Sequence, residues 1–158
     1  MKILIPISGG IDSSFLLAKA LNTSGVEVFP VEFEDGEEDH SETLAARSIV
    51  DYYRNSSINN SILHPITILP IVPLKKLEVS YPLVDARDET KEAMEHTKYW
   101  SGYKALFYSA LLAYGGAIGA DQIWFGTYSW NDHFVDELPE KAQQFYNTWK
   151  SLYPDLKI

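Results

Sequence analysis

Cysteine is absent from this 158-residue chain, which excludes disulfides, thiolate nucleophiles and zinc–thiolate sites. With no histidine pair at ligand spacing either, no zinc is expected. Positive charge is scarce: 13 Lys and Arg face 22 Asp and Glu, for a net charge of -9. A protein that grips a nucleic-acid backbone needs the opposite balance, so nucleic acid is not an expected partner. A small anionic ligand stays open, because backbone N–H groups bind phosphate without help from net charge. Long apolar runs are also missing. No stretch reaches the ~18 residues of a membrane-spanning helix, and no membrane partner is expected. Met1–Ile7 is one short strand-like run passing at once into Ser8-Gly9-Gly10, unlike a secretory leader, so cytoplasmic residence is the expectation.

What is present is the composition of a globular protein, 46% hydrophobic and 22% charged, at a length that fits one domain over residues 1–158. Lys2–Ile7 reads as a buried strand and Ser13–Leu21 as a helix whose apolar positions include Phe15, Leu16, Ala20 and Leu21. Val26–Phe33 is a second strand. Ser41 can cap the next helix, with Ala45, Ala46, Ile49, Val50 and Tyr53 along its apolar face. Asn55–Ser61 is polar loop, and a third strand is expected at Thr67–Leu69 between prolines. Ser80–Trp100 is hard to read, with Asp85 able to cap a short polar helix through Glu95. Gly102–Gly119 forms a long helix, apolar nearly all round and therefore expected to be buried. Gln122–Phe125 is a fourth strand ended by Gly126, and Leu138–Leu152 a closing helix. Strands alternating with helices imply an α/β fold, an open parallel sheet of at least four strands with helices on both faces. Ligands of such sheets sit beyond the carboxyl ends of the strands, where strand order reverses. The loops after strands one and four should then face one crevice.

The first of those loops carries the chemistry. Ser8-Gly9-Gly10-Ile11-Asp12-Ser13-Ser14 links a strand to a helix. Paired glycines allow a tight turn and close approach to a ligand, and successive N–H groups form an anion nest backed by the helix dipole. Ser8, Ser13 and Ser14 add hydroxyls. A carboxylate at Asp12 repels polyphosphate unless Mg²⁺ bridges the two, oxygen being the ligand that ion prefers. The plain alternative is a glycine turn with Asp12 or Ser13 as helix N-cap. It is not a Walker loop, because no Gly-Lys-Ser/Thr follows.

All seven positions resemble the signature of the PP-loop ATP pyrophosphatases, enzymes that adenylate a carbonyl or carboxyl oxygen. Within that superfamily the chain looks most like the 7-cyano-7-deazaguanine synthases of queuosine precursor biosynthesis. Their Phe-Asp-Tyr-Gly-Gln-Arg-His stretch falls on Phe33-Glu34-Asp35-Gly36-Glu37-Glu38-Asp39, and their Glu-Leu-x-Ala-Ala on Glu42-Thr43-Leu44-Ala45-Ala46. Their Pro-Gly-Arg-Asn lines up with Ser101-Gly102-Tyr103-Lys104, and their Gly-Ala-Asp-x-Ile with Gly119-Ala120-Asp121-Gln122-Ile123. The resemblance covers essentially this whole chain but about two thirds of a family member, without the cysteine-rich zinc segment of the family's last third. Two charged groups differ: Gln-Arg-His is Glu37-Glu38-Asp39 here, and Arg-Asn is Tyr103-Lys104.

The resemblance implies ATP and Mg²⁺ as cofactors and a carbon–nitrogen ligase adenylating 7-carboxy-7-deazaguanine. It implies nucleotide contacts from Ser8, Gly9, Gly10, Ile11, Asp12, Ser13, Ser14 and Gly126, and main-chain contacts from Glu32 and Phe33. Asp12, Ser13 and Lys104 become the catalytic candidates, Asp12 also holding Mg²⁺. The family's substrate loop survives as Phe134-Val135-Asp136-Glu137-Leu138.

From the residues themselves, Trp130 can stack on a flat heterocycle. Asp132, His133 and Asp136 are spaced to meet a metal or a purine edge, although His133 reads first as an ordinary loop residue. The six acids within Glu34–Glu42 read as a solvated loop before a second metal site. Clustered aromatics in the second half suit core or a homodimer interface. On the resemblance, the family's zinc segment is either dispensable, supplied by a partner chain that completes the site, or lost with a change of function. Two other readings stand beside the synthase: a reduced PP-loop protein that binds ATP or AMP without making nitrile, and a different adenylating PP-loop ligase.

Overall fold

The computed structural model describes residues 1–34, 41–56, 60–70, 103–126 and 139–154. In chain order the elements are β1 (Lys2–Pro6), α1 (Ile11–Leu21), β2 (Glu27–Glu34), α2 (Ser41–Arg54), β3 (Ile62–Leu63), β4 (Thr67–Pro70), α3 (Tyr103–Ile118), β5 (Gln122–Ile123) and α4 (Pro139–Leu152). Every described strand pairing is parallel. β1 lies between β2 and β5, and β2 carries both β3 and β4 on its other side. The expected α/β sheet is what the chain forms.

β1 is the centre of the sheet because its residues are apolar on both faces. Ile3, Leu4 and Ile5 are completely buried, the pattern of a parallel strand covered by helices above and below. On one face Ile3, Ile5 and Ile7 pack with Leu17, Ala20 and Leu21 of α1 and Ala46 and Val50 of α2. On the other, Leu4 and Val31 meet Leu111, with Tyr114 and Ile118 of α3 packed alongside. The helix expected over residues 102–119 is therefore only half-buried, and Ala117 is exposed. Away from the sheet, Tyr108 of α3 meets α4, its ring centroid 5.7 Å from that of Phe145.

The third strand stands at Thr67–Pro70, where it was expected, but an unforeseen short piece, Ile62–Leu63, precedes it. Both pieces pair with β2, with Val28 opposite Leu63 and Val31 opposite Thr67. Three residues, His64–Ile66, thus face two, Phe29 and Pro30, which is the count of a β-bulge. The cause is proline. Val31 accepts from Ile7 N–H on the β1 side, and Val28 accepts from His64 N–H on the outer side. Alternation along β2 turns Pro30 outward like Val28, so the ring without an N–H faces the bulge that contains Pro65. A proline in an inner strand is tolerated because the ladder is interrupted there: Pro30 has no register partner in β3 or β4 whose carbonyl would need its missing donor.

No helix among the described residues is long and apolar enough to cross a membrane. The segment containing Asp85 and Glu95 lies outside the described residues.

Candidate functional site

Strand order reverses at β1, with β2 on one side and β5 on the other. The carboxyl end of β1 therefore opens where open α/β sheets bind ligands, and the Ser8–Ser14 turn occupies that place. α1 begins at Ile11, two residues earlier than expected, with Gly10 as its N-cap and no side chain capping it. That removes the alternative in which Asp12 or Ser13 caps the helix. Ile11, Asp12 and Ser13 instead lie in the first turn, where an α-helix leaves its backbone N–H groups without intrahelical acceptors.

All three serine hydroxyls take part in hydrogen bonds within the loop itself. Ser13 Oγ donates to Gly10 C=O at 3.1 Å and accepts from Ser8 N–H at 3.3 Å. Gly10 N–H donates to Ser8 Oγ at 3.3 Å, and Ser14 Oγ donates to Gly10 C=O at 2.7 Å. These bonds brace the turn and leave the first-turn N–H groups and the exposed Asp12 carboxylate as its outward-facing chemistry.

Two glycines set the walls. Gly9 has φ +81°, and a Cβ there would lie 2.5 Å from Ala45 Cβ and 2.7 Å from Ala46 N. The turn is thus pressed against the second turn of α2, which explains small residues at Ala45 and Ala46. Gly126 follows β5, and a Cβ on it would lie 3.1 Å from Asp12 Cβ. The loops after β1 and β5 do meet, as the strand pattern required. Glu32 and Phe33 lie one strand over, at the end of β2. Phe33 packs edge-on against Phe107 of α3 at 4.4 Å. Glu32, expected to contribute only main chain, has a buried side chain at 6% exposure, and its Oε2 lies 3.9 Å from Arg47 Nε.

Arg47 and this pairing carry no motif in the sequence. The available signal was Glu32 falling in phase with Val28 and Pro30, on the face that α2 covers. Lys104 stands in the first turn of α3, its side chain outside the described residues. Trp130, Asp132, His133 and Asp136 also lie outside them, as do Asp35 through Asp39.

A family model described as queuosine biosynthesis protein QueC matches residues 2–153. The chain belongs to that family. It is 28% identical over 145 residues to a 7-cyano-7-deazaguanine synthase of Desulfitobacterium hafniense strain DCB-2, covering 91% of this chain and 58% of the relative. A protein of the same name from Picrophilus torridus is 28% identical over 150 residues, covering 89% and 55%. The 7-cyano-7-deazaguanine synthase 1 of Colwellia psychrerythraea strain 34H is 26% identical over 151 residues, covering 94% and 66%. The chain thus spans between 55% and 66% of the length of these QueC-family relatives.

Proposed function

We propose that this QueC-family chain binds ATP in the Ser8–Ser14 turn and activates the carboxylate of 7-carboxy-7-deazaguanine. The observation that carries the reading is the strand–turn–helix junction at the switch point, with Gly9 against α2, Gly126 against Asp12, and first-turn N–H groups uncapped. Those N–H groups donate to the phosphate oxygens, with the α1 dipole behind them. The exposed Asp12 carboxylate suits Mg²⁺ accompanying ATP, which would neutralise charge on the phosphates.

A carboxylate oxygen of the base attacks the α-phosphorus and pyrophosphate leaves. Ammonia then attacks the acyl carbon and displaces AMP, giving the amide. A second adenylation of the amide oxygen, followed by loss of AMP, gives the nitrile. The chain's own contribution is positioning and charge neutralisation. In this reading main chain at Glu32 and Phe33 contacts the nucleotide, Lys104 is the candidate positive charge for the phosphates, and Trp130, Asp132 and Asp136 are the candidates for recognising the base.

The test is direct. The protein is supplied with ATP, Mg²⁺, ammonium and 7-carboxy-7-deazaguanine, and nucleotide and base products are separated by chromatography. The expected result is ATP cleavage that depends on the base, with amide or nitrile formed. ATP binding with no base-dependent cleavage would reject synthesis and leave a nucleotide-binding protein, the reading favoured by Tyr103 standing where the family has arginine.

A further inference from the structure

We infer that Glu32 and Arg47 form a positioning pair that holds α2 against the nucleotide loop, an inference that rests on the proposed binding of ATP phosphates by the Ser8–Ser14 turn. Among the described residues, Glu32 alone of the polar and charged residues is buried. Its Oε2 has no hydrogen-bond partner there, and its charged neighbour is Arg47, at 3.9 Å, whose side chain is 51% exposed. Such an arrangement is a poor source of stability. Taking a carboxylate out of water costs more than one long contact to a half-exposed guanidinium returns, and an apolar residue would serve the core better.

The placement of the pair gives it a different role. Ile7 N–H donates to Val31 C=O at 2.7 Å, so Glu32 begins beside the point where β1 passes into the loop. Two residues after Ile7, Gly9 is pressed on Ala45 and Ala46. Arg47 is the next residue of α2. The chain therefore closes a small ring: β1 to β2 by a backbone bond, β2 to α2 by the charge pair, α2 to the loop by the Gly9 contact. Ala46 and Val50 hold α2 to the sheet by apolar packing, and the charge pair is the ionic contact that α2 adds beside the loop. Because Gly9 has no clearance from α2, a small displacement of Ala45–Arg47 is transmitted to the loop's N–H groups. In donor geometry around a phosphate, displacements of that kind matter.

Glu32→Gln removes the charge while keeping the shape, and Arg47→Met removes the other partner. ATP–Mg²⁺ affinity by calorimetry and thermal midpoint are measured for wild type, both single variants and Glu32→Gln/Arg47→Met. The expected result is a loss of affinity on the order of tenfold in Glu32→Gln, the scale on which removing a group behind a binding site is felt. The double variant should bind no worse than the worse single, because both act through one link. If Arg47→Met leaves Glu32 unpaired and fails to fold, Glu32→Gln still decides the matter. Wild-type-like affinity in Glu32→Gln, whatever its thermal midpoint, overturns the positioning role and leaves the ATP site intact. Absence of ATP binding by the wild type overturns the ATP reading itself, and this inference with it.

Discussion

Gly9 combines two requirements that no other residue meets at once. Its φ of +81° lies in the left-handed region, and the space a Cβ would take is filled by Ala45 and Ala46 backbone. Gly9→Ala adds strain of ~1–2 kcal/mol from the dihedral and about 1–3 kcal/mol from overpacking. The thermal midpoint should fall and ATP affinity with it. Asp12→Ala should behave differently, because Asp12 is exposed and caps nothing. Its thermal midpoint without nucleotide should match wild type, while calorimetry with ATP and Mg²⁺ shows weakened binding. Equal affinity in mutant and wild type would remove Asp12 from the site. Gly126 gives a milder case, since its added Cβ would stand 3.1 Å from Asp12 Cβ, a distance that a shift of a few tenths of an ångström relieves.

At the scale of elements, α1 joins core to site. Leu17, Ala20 and Leu21 are buried on its inner side, while Ile11 and Phe15 remain exposed near its start. Leu17→Ala deletes a fully buried side chain in contact with the β1 isoleucines and should cost ~2–5 kcal/mol by denaturant unfolding. The helix start itself was misread by two residues. Ser13 looks like an N-cap, but its hydroxyl is committed to the loop, and Gly10 takes the cap position by backbone geometry alone. The strand at Thr67–Pro70 is legible in the sequence; the separate piece at Ile62–Leu63 is not, because the break between them lies opposite Pro30 in another strand. Side-chain pattern shows alternation within a segment; it does not show which way a proline's missing N–H points. α3 is fixed to the outer strand by a hydrogen bond of 2.8 Å between Tyr114 OH and Thr67 Oγ1. Tyr114→Phe should lower stability by about 0.5–1.5 kcal/mol, leaving ATP affinity unchanged.

Across the whole molecule, a net charge of -9 is an unfavourable background for a polyphosphate. Binding then depends on short-range N–H donors and on neutralisation of the phosphates, while the long-range field opposes it. ATP affinity measured without Mg²⁺ should be weak at low ionic strength and should tighten as salt screens the repulsion. A basic site would do the reverse, so affinity falling with added salt would count against this account of the electrostatics.

The fold class and the position of the Ser8–Ser14 turn were determined by the sequence alone. An apolar strand, two glycines and a helix in immediate succession are local features, and local sterics and hydrophobic period act on them before any tertiary contact forms. The meeting of the loops after β1 and β5 also followed, because parallel strands alternating with helices put those loops on one edge. What only the tertiary structure decided were contacts between residues far apart in the chain. Gly9 against Ala45, Glu32 beneath α2 beside Arg47, and Pro30 facing the bulge all depend on how elements settle against each other. The residues concerned carry no local mark of that role: an alanine, a glutamate and a proline have the same periodicity whether or not a distant neighbour needs them. Packing in three dimensions assigns these partners, because it is there that volume and unpaired charge must be reconciled.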